Sequence, residues 1–257
     1  MGKPPGMSSI IISLSLVLLA FFGVLFGMFM RVRLPEHHLS PDVKDVAKVA
    51  LGLVATISAL VLSLLLSTSK ASYDARANQL IELSADILLL DRVLAYYGPE
   101  AHDARSQLRA AVQEAIERFW PSDDAVVTGF TADALQVETL HDRISQLIPV
   151  TETHNALRGQ ALQLMTEINR SRFLLVSHVS RSIPTAFLIV LILWVTVIFT
   201  GLGLFAPVNP TSITIFLVCA VSAAGAIFLI LELDDPLVGI IKLSDQPLQL
   251  VLTRIGQ

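Results

Sequence analysis

From Ser182 to Leu231 the chain carries no charged side chain. A bilayer core takes roughly twenty apolar residues per helix, so this run is long enough for two spans. Its interruption, Phe205-Ala-Pro-Val-Asn-Pro-Thr211, has the proline and asparagine content of a tight hairpin, and the run stops at Glu232-Leu-Asp-Asp-Pro236. The pattern predicts spans over 184–205 and 212–232 and makes the protein integral to a membrane.

A second pair of spans lies near the N-terminus. Pro4 to Met30 is free of charge and ends in Met28-Phe-Met30-Arg31-Val-Arg33. Secretory signals have apolar cores of only about 7–15 residues and end at a small-residue cleavage site, so a retained helix is expected over 8–30. The block from Val49 to Ser69 follows a short polar loop with Pro35, His37, His38 and Pro41, and predicts a span over 47–68.

Composition agrees with a bilayer setting. Hydrophobic residues make up 53% and charged residues 16% of the chain, where soluble domains carry about a quarter charged. A net charge of −4 gives no reason to expect nucleic acid as a partner. Cys219 is the single cysteine, which leaves no disulfide framework and no thiolate metal cluster; a small packing residue within a span is the expected role.

Orientation follows from basic residues near the span ends. Two spans separate the N-terminus from the middle segment and the middle segment from the C-terminus, so all three share one side. That side holds Lys3, Lys70, Arg76, Arg170, Arg172, Arg181, Lys242 and Arg254. The other has Arg31, Arg33, Lys44 and Lys48, all in the first loop. The balance favours a multi-pass protein of the cell's inner (plasma) membrane with both termini and the middle segment cytoplasmic, although the first loop pulls the other way.

The segment from Ser69 to Arg181 is polar and patterned as helix. Leu80, Leu83, Ile87, Leu90 and Leu94 recur at three-and-four spacing, and the second span is expected to run straight on into this stripe. Gly98-Pro99 should end it, since proline lacks a donor and has a fixed dihedral. Further helices are expected near Ala101–Trp120, Thr131–Leu147 and Glu152–Ser180, able to bury their apolar stripes together. After Asp235, Ser244-Asp-Gln-Pro247 looks like a helix start. Leu248, Val251, Leu252 and Ile255 follow on one face, as in an interfacial amphipathic helix. The expected architecture is all-α: a first helix pair over 1–68, an amphipathic helical domain over 69–182 placed in the cytoplasm, a second helix pair over 183–233 and an interfacial tail over 234–257.

Enzymatic constellations are missing. There is no phosphate-binding glycine loop, no His-Glu-x-x-His and no Gly-x-Ser-x-Gly. No catalytic residue, metal site or cofactor is assigned, and an enzyme is not expected. His37-His38 beside Glu36 has metal-binding chemistry, but adjacent histidines in a polar loop are usually solvated. Gly201-Leu-Gly203, inside a span, fits relief of helix packing.

Three membrane features carry functional weight. Gly23 and Gly27 are four apart on the first span, and Ser222 and Ala226 repeat that interval on the fourth, a spacing that lets helix backbones approach closely in lipid. Glu232, Asp234 and Asp235 stand at a helix C-terminus, where carboxylates oppose the helix dipole. They are either solvated interface charges or, for Glu232, a group facing a water-filled cavity or paired with Arg181 or Lys70; ionisable groups at membrane depth are functional candidates. In Arg181-Ser-Ile-Pro-Thr-Ala-Phe187, Ile183 and Phe187 share a helical face with Leu191. That face is either ordinary apolar surface or, repeated by symmetry, a constriction that gates a pore by dewetting.

Two blocks, Asp91-Arg-Val-Leu-Ala-Tyr-Tyr-Gly-Pro-Glu100 and Glu232-Leu-Asp-Asp-Pro-Leu-Val-Gly239, together with the order of two spans, helical insert and two spans, resemble the bestrophin-like family over nearly the whole chain. The family's name implies kinship with bestrophins, pentameric anion channels whose neck is lined from an Ile-Pro-x-x-Phe helix. Ile183-Pro184-Thr185-Ala186-Phe187 matches that pattern, with Leu191 at the position of the next aromatic. In bestrophins, however, the neck helix follows closely on the first span, and the rest of their cytosolic domain, including the calcium clasp, has no recognisable counterpart here. The resemblance implies a homo-oligomer in the lipid bilayer that conducts small anions, with Ile183, Phe187 and Leu191 as neck and Glu232 at the mouth. The alternative is a membrane-anchored sensor or scaffold whose helical domain binds a ligand or protein partner.

Overall fold

The computed structural model describes residues 7–34, 41–120, 134–177, 185–234 and 240–256. Ile183, Asp235, His37 and His38 lie outside them. Among the described residues the chain is helical with no strand. Its helices are α1 (Met7–Arg33), α2 (Pro41–Tyr97), α3 (His102–Phe119), α4 (Ala134–Ser145), α5 (Glu152–Ser177), α6 (Thr185–Phe205), α7 (Pro210–Asp234) and α8 (Gln246–Arg254). Four of them, α1, α2, α6 and α7, are long and apolar enough to cross a membrane.

The chain divides into two compact units, Met1–Tyr73 with Arg181–Ile241, and Asp74–Ser180 with Lys242–Gln257. The boundary between Tyr73 and Asp74 falls inside the unbroken α2, because nothing in its sequence stops the helix before Gly98.

In the first unit α1 packs against both α6 and α7. Leu16 meets Leu188, Leu191, Ala224, Ile227 and Ile230 in one buried cluster, to which α2 adds Leu65. Ala20, Val24 and Met28 meet Phe199 and Ala220 in another. The α6–α7 turn is tied by its own sequence. Asn209 accepts a hydrogen bond at Oδ1 from the Ser212 amide (2.8 Å), capping α7 with Pro210 in the first turn. Arg31, at the end of α1, donates to the carbonyl of Ala206, just past α6, where carbonyls have no helical partner.

The second unit is built on the stripe of α2 read from its spacing. Leu80, Leu83, Ile87, Leu90 and Leu94 are buried with Leu108, Val112 and Ile116 of α3, Leu140 and Ile144 of α4, and Ala161, Met165 and Ile168 of α5. The Asp91–Glu100 block forms its corner. Gly98 has φ +114°, a conformation open to glycine, and Pro99–Ala101 makes one 3-10 turn into α3. Buried Tyr97 stacks on His154 at 4.8 Å between ring centroids. The tail differs from its expected interfacial role: Leu248, Val251 and Ile255 of the α8 segment are buried in this core. Trp120 Nε1 donates to the Leu243 carbonyl (2.7 Å) and Arg109 to that of Ile255 (2.8 Å), which fastens the segment beside α3. An apolar stripe of one short helix suits a membrane surface or a protein core equally; here the core takes it.

Candidate functional site

The tightest approach in the first unit is between α1 and α6. A methyl group on Gly23 would stand 2.9 Å from Thr200 Oγ1. One on Gly27 would collide with the Thr200 carbonyl and stand 2.8 Å from the Leu204 amide, and one on Gly203 would meet the Val24 backbone, 2.9 Å from its Cα. Glycines on both helices thus let backbone meet backbone. Thr196 and Thr200 complete the crossing; their hydroxyls donate back to the Ile192 and Thr196 carbonyls (2.8 Å each), so neither is left unpaired in an apolar setting. On α7 the small residues that face α1 are Ala220 and Ala224, both buried. Ser222 is exposed and bonds its own Val218 carbonyl (2.9 Å), and Ala226 is half-buried, so this second pair makes no close helix contact within the chain, and packing between subunits stays a proposal.

Phe187 and Leu191 do not share an exposed face. Phe187 is half exposed, whereas Leu191 is 1% exposed among Leu16, Ile227 and Ile230 of the same chain. Enclosed within its own chain, Leu191 has no free face to offer the expected neck. The helical face that begins at Phe187 turns inward within one turn.

Glu232 and Asp234 are buried, 1% and 5% exposed, and not solvated interface charges. Arg181, one of its expected partners, lies outside the described residues; Glu232 Oε2 accepts from the backbone amides of Ile240 and Ile241, the latter at 3.3 Å. One carboxylate thus gathers two donors of the segment that follows α7, a charge-assisted arrangement about twice as strong as a neutral one. Among the described residues its Oε1 has no partner. The spacing of Glu232 to the residues eight and nine further on could not be read as a bond, because no helical or strand period links them.

The four spans differ in what they expose. Only 11% of the apolar window of α2 is buried, against 22 to 33% in the others. Its exposed residues form two adjoining rows, Val49, Leu53, Ile57, Leu60 and Leu64 beside Gly52, Thr56, Ala59, Ser63 and Ser67. A methyl group on Gly52 would meet nothing within 4 Å, so no contact among the described residues requires a glycine there. The exposed face of α1 instead presents Phe22, Phe26 and Phe29. Small residues in a span let helix backbones approach closely, and hydroxyl residues can hydrogen-bond across helices. The row is written in the sequence as Gly, Thr, Ala and Ser at intervals of three and four, a less conspicuous signal than the glycine pair of α1 and one that sequence reasoning missed.

Among the described residues, no group of three or more His, Cys, Asp or Glu could hold a metal ion. In the second unit Asp91, wholly buried, takes a two-pronged ion pair from Arg105 Nε (2.8 Å) and Nη2 (3.1 Å). The bond to Asp91 holds the Arg105 guanidinium above its ordinary range. On the polar half of α2, Asp86 is pushed up by partial burial and by Glu167 and Glu82 close by.

Residues 17–248 match the family model described as Bestrophin-like domain. No curated protein matches the chain. Crystal structures of a bacterial bestrophin homologue from Klebsiella pneumoniae share its fold. One with a tryptophan-to-alanine mutation aligns with TM-score 0.68 and 15% identity over 96% of this chain and 97% of that one. Another, solved by Zn-SAD phasing, aligns with TM-score 0.65 and 13% identity over 96% of each.

Proposed function

Because the chain belongs to the bestrophin-like family, we propose that this membrane protein is a homo-oligomeric ion channel with α2 beside the symmetry axis. The observation that carries the reading is the outward face of α2, the least buried span, with its row of Gly52, Thr56, Ala59, Ser63 and Ser67. Against neighbouring copies that row allows close helix approach. The adjoining Leu53, Ile57, Leu60 and Leu64 then supply a hydrophobic constriction that opens by wetting. α2 follows directly on the first span, the position that the neck helix holds in bestrophins. Phe187 keeps an exposed position but is not the gate.

Small anions are the permeant ions that kinship with bestrophins implies. Both termini and the second unit are assigned to the cytoplasm. The bond from Arg31 to Ala206 supports this orientation, because it gives one of the four opposing charges a local structural task.

Halide flux into liposomes containing the purified protein tests the reading. Flux well above that of empty vesicles, raised by Leu60→Ala or Leu64→Ala and little changed by Phe187→Ala, is the expected result. Sodium flux without halide flux would retain the channel and overturn the anion. No flux of either ion, or a strictly monomeric mass in detergent, would overturn the channel.

A further inference from the structure

In the second unit an open cleft of about 360 Å³ lies between α3 and the α8 segment, lined by Gln113, Ile116, Glu117, Trp120, Asp245 and Leu252 together with Gln249. It is open to solvent, with Gln113, Glu117 and Gln249 exposed and the other lining residues half-buried or buried. The apolar part is Ile116, buried in the core, with Trp120 and Leu252 packed against it. The Trp120 ring is fixed by its bond to the Leu243 carbonyl. The polar part is acidic. Glu117 takes one hydrogen bond from Gln113 Nε2 (3.1 Å), and Asp245 takes one from Gln249 Nε2 (3.2 Å). Each carboxylate has capacity for more.

Asp245 also stands at the N-cap of α8 without bonding the helix's first amides. An aspartate there ordinarily accepts from the second or third amide of the helix. Here its side chain runs along the cleft to Gln249 instead.

We propose that this cleft binds a small organic ammonium ion, with Glu117 and Asp245 balancing the charge and Trp120, Ile116 and Leu252 receiving the alkyl groups. An indole face attracts a cation through its quadrupole, the usual basis of quaternary ammonium recognition. Lining that joins two carboxylates to an indole disfavours anions and gives a neutral molecule less than a cation. The site is separate from the conduction proposed for α2 and would give a ligand-binding role to the helical unit.

The experiment uses the full chain in nanodiscs of phosphatidylglycerol, carrying Trp194→Phe so that Trp120 is the sole tryptophan reporter. Choline is titrated against 3,3-dimethylbutan-1-ol, its neutral isostere with carbon in place of nitrogen. Expected is a saturable change in Trp120 fluorescence, with choline at least tenfold tighter than the isostere. Glu117→Gln with Asp245→Asn should bring choline down to the affinity of the isostere and leave the isostere unchanged, which separates lost charge from lost fold. Equal affinity for the two compounds, no saturation by choline, or choline binding untouched by the paired substitution would each overturn the proposal. Adding phosphatidylcholine to the discs weakens free choline if lipid headgroups reach the cleft and leaves it unchanged if the ligand is soluble; both outcomes support the cation site and tell its source. The readout is binding, so a failure of conduction leaves it intact.

Discussion

Asp91 of α2 and Arg105 of α3 form a two-pronged ion pair in which the carboxylate is wholly buried. Removing one partner leaves the other charged and unmatched. Arg105→Ala is expected to destabilise the second unit by about 3–5 kcal/mol, while the apolar pair Asp91→Leu with Arg105→Met recovers much of the loss. Thermal unfolding of Asp91→Leu, Arg105→Met and the double carrying both, in one detergent, reads the coupling directly.

Gly27 and Gly52 should respond oppositely to alanine. At Gly27 the added methyl meets backbone of α6, which cannot yield as a side chain would, so Gly27→Ala should cost about 1–3 kcal/mol. At Gly52 it enters open space, and Gly52→Ala should leave the protomer's unfolding within about 1 kcal/mol of the parent. If α2 sits at the oligomer axis, Gly52→Ala should lower the fraction of oligomer in detergent, measured by mass photometry.

Glu232 holds two amides, and exchange of their hydrogens should report its loss. Glu232→Ala is expected to speed exchange at Ile240 and Ile241 by roughly tenfold or more, the equivalent of a charge-assisted hydrogen bond. Glu232→Gln should do less, since its carboxamide oxygen still accepts. Equal protection in all three proteins would mean that the bond does not hold the segment.

Asp86 gives a pH dependence. Its folded pKa is raised by burial and by Glu167 and Glu82, so the fold binds this proton more tightly than the unfolded chain does. The favourable contribution is therefore complete below the unfolded carboxylate value and is lost as pH rises through the raised folded value. Asp86→Asn should raise the unfolding midpoint at pH 7, with a gain that shrinks on acidification through the carboxylate range. A gain independent of pH would refute the electrostatic origin.

Much of the fold is legible along the chain. The spans follow from apolar runs, the passage of α2 into a second stripe follows from its unbroken three-and-four period, and its end follows from Gly98-Pro99. Less legible is which face meets which partner. Gly23-x-x-x-Gly27 and Ser222-x-x-x-Ala226 look alike as spacings, yet one lies against α6 and the other points partly outward, because the choice depends on how α1 crosses its neighbours. Ile183, Phe187 and Leu191 likewise share a face by arithmetic, while Leu191 is enclosed by α1 and α7.

The sequence by itself determined that this is a helical membrane protein with four spans and an amphipathic helical insert, since length, hydropathy and period are properties of the chain read in order. Only the tertiary structure decided that Asp91 pairs with Arg105, that Glu232 bonds backbone eight residues on, that the tail belongs to the helical core, and that α2 keeps the most exposed face. Each of these depends on which surfaces are already covered by other segments, and burial is a property of the folded whole rather than of any local stretch.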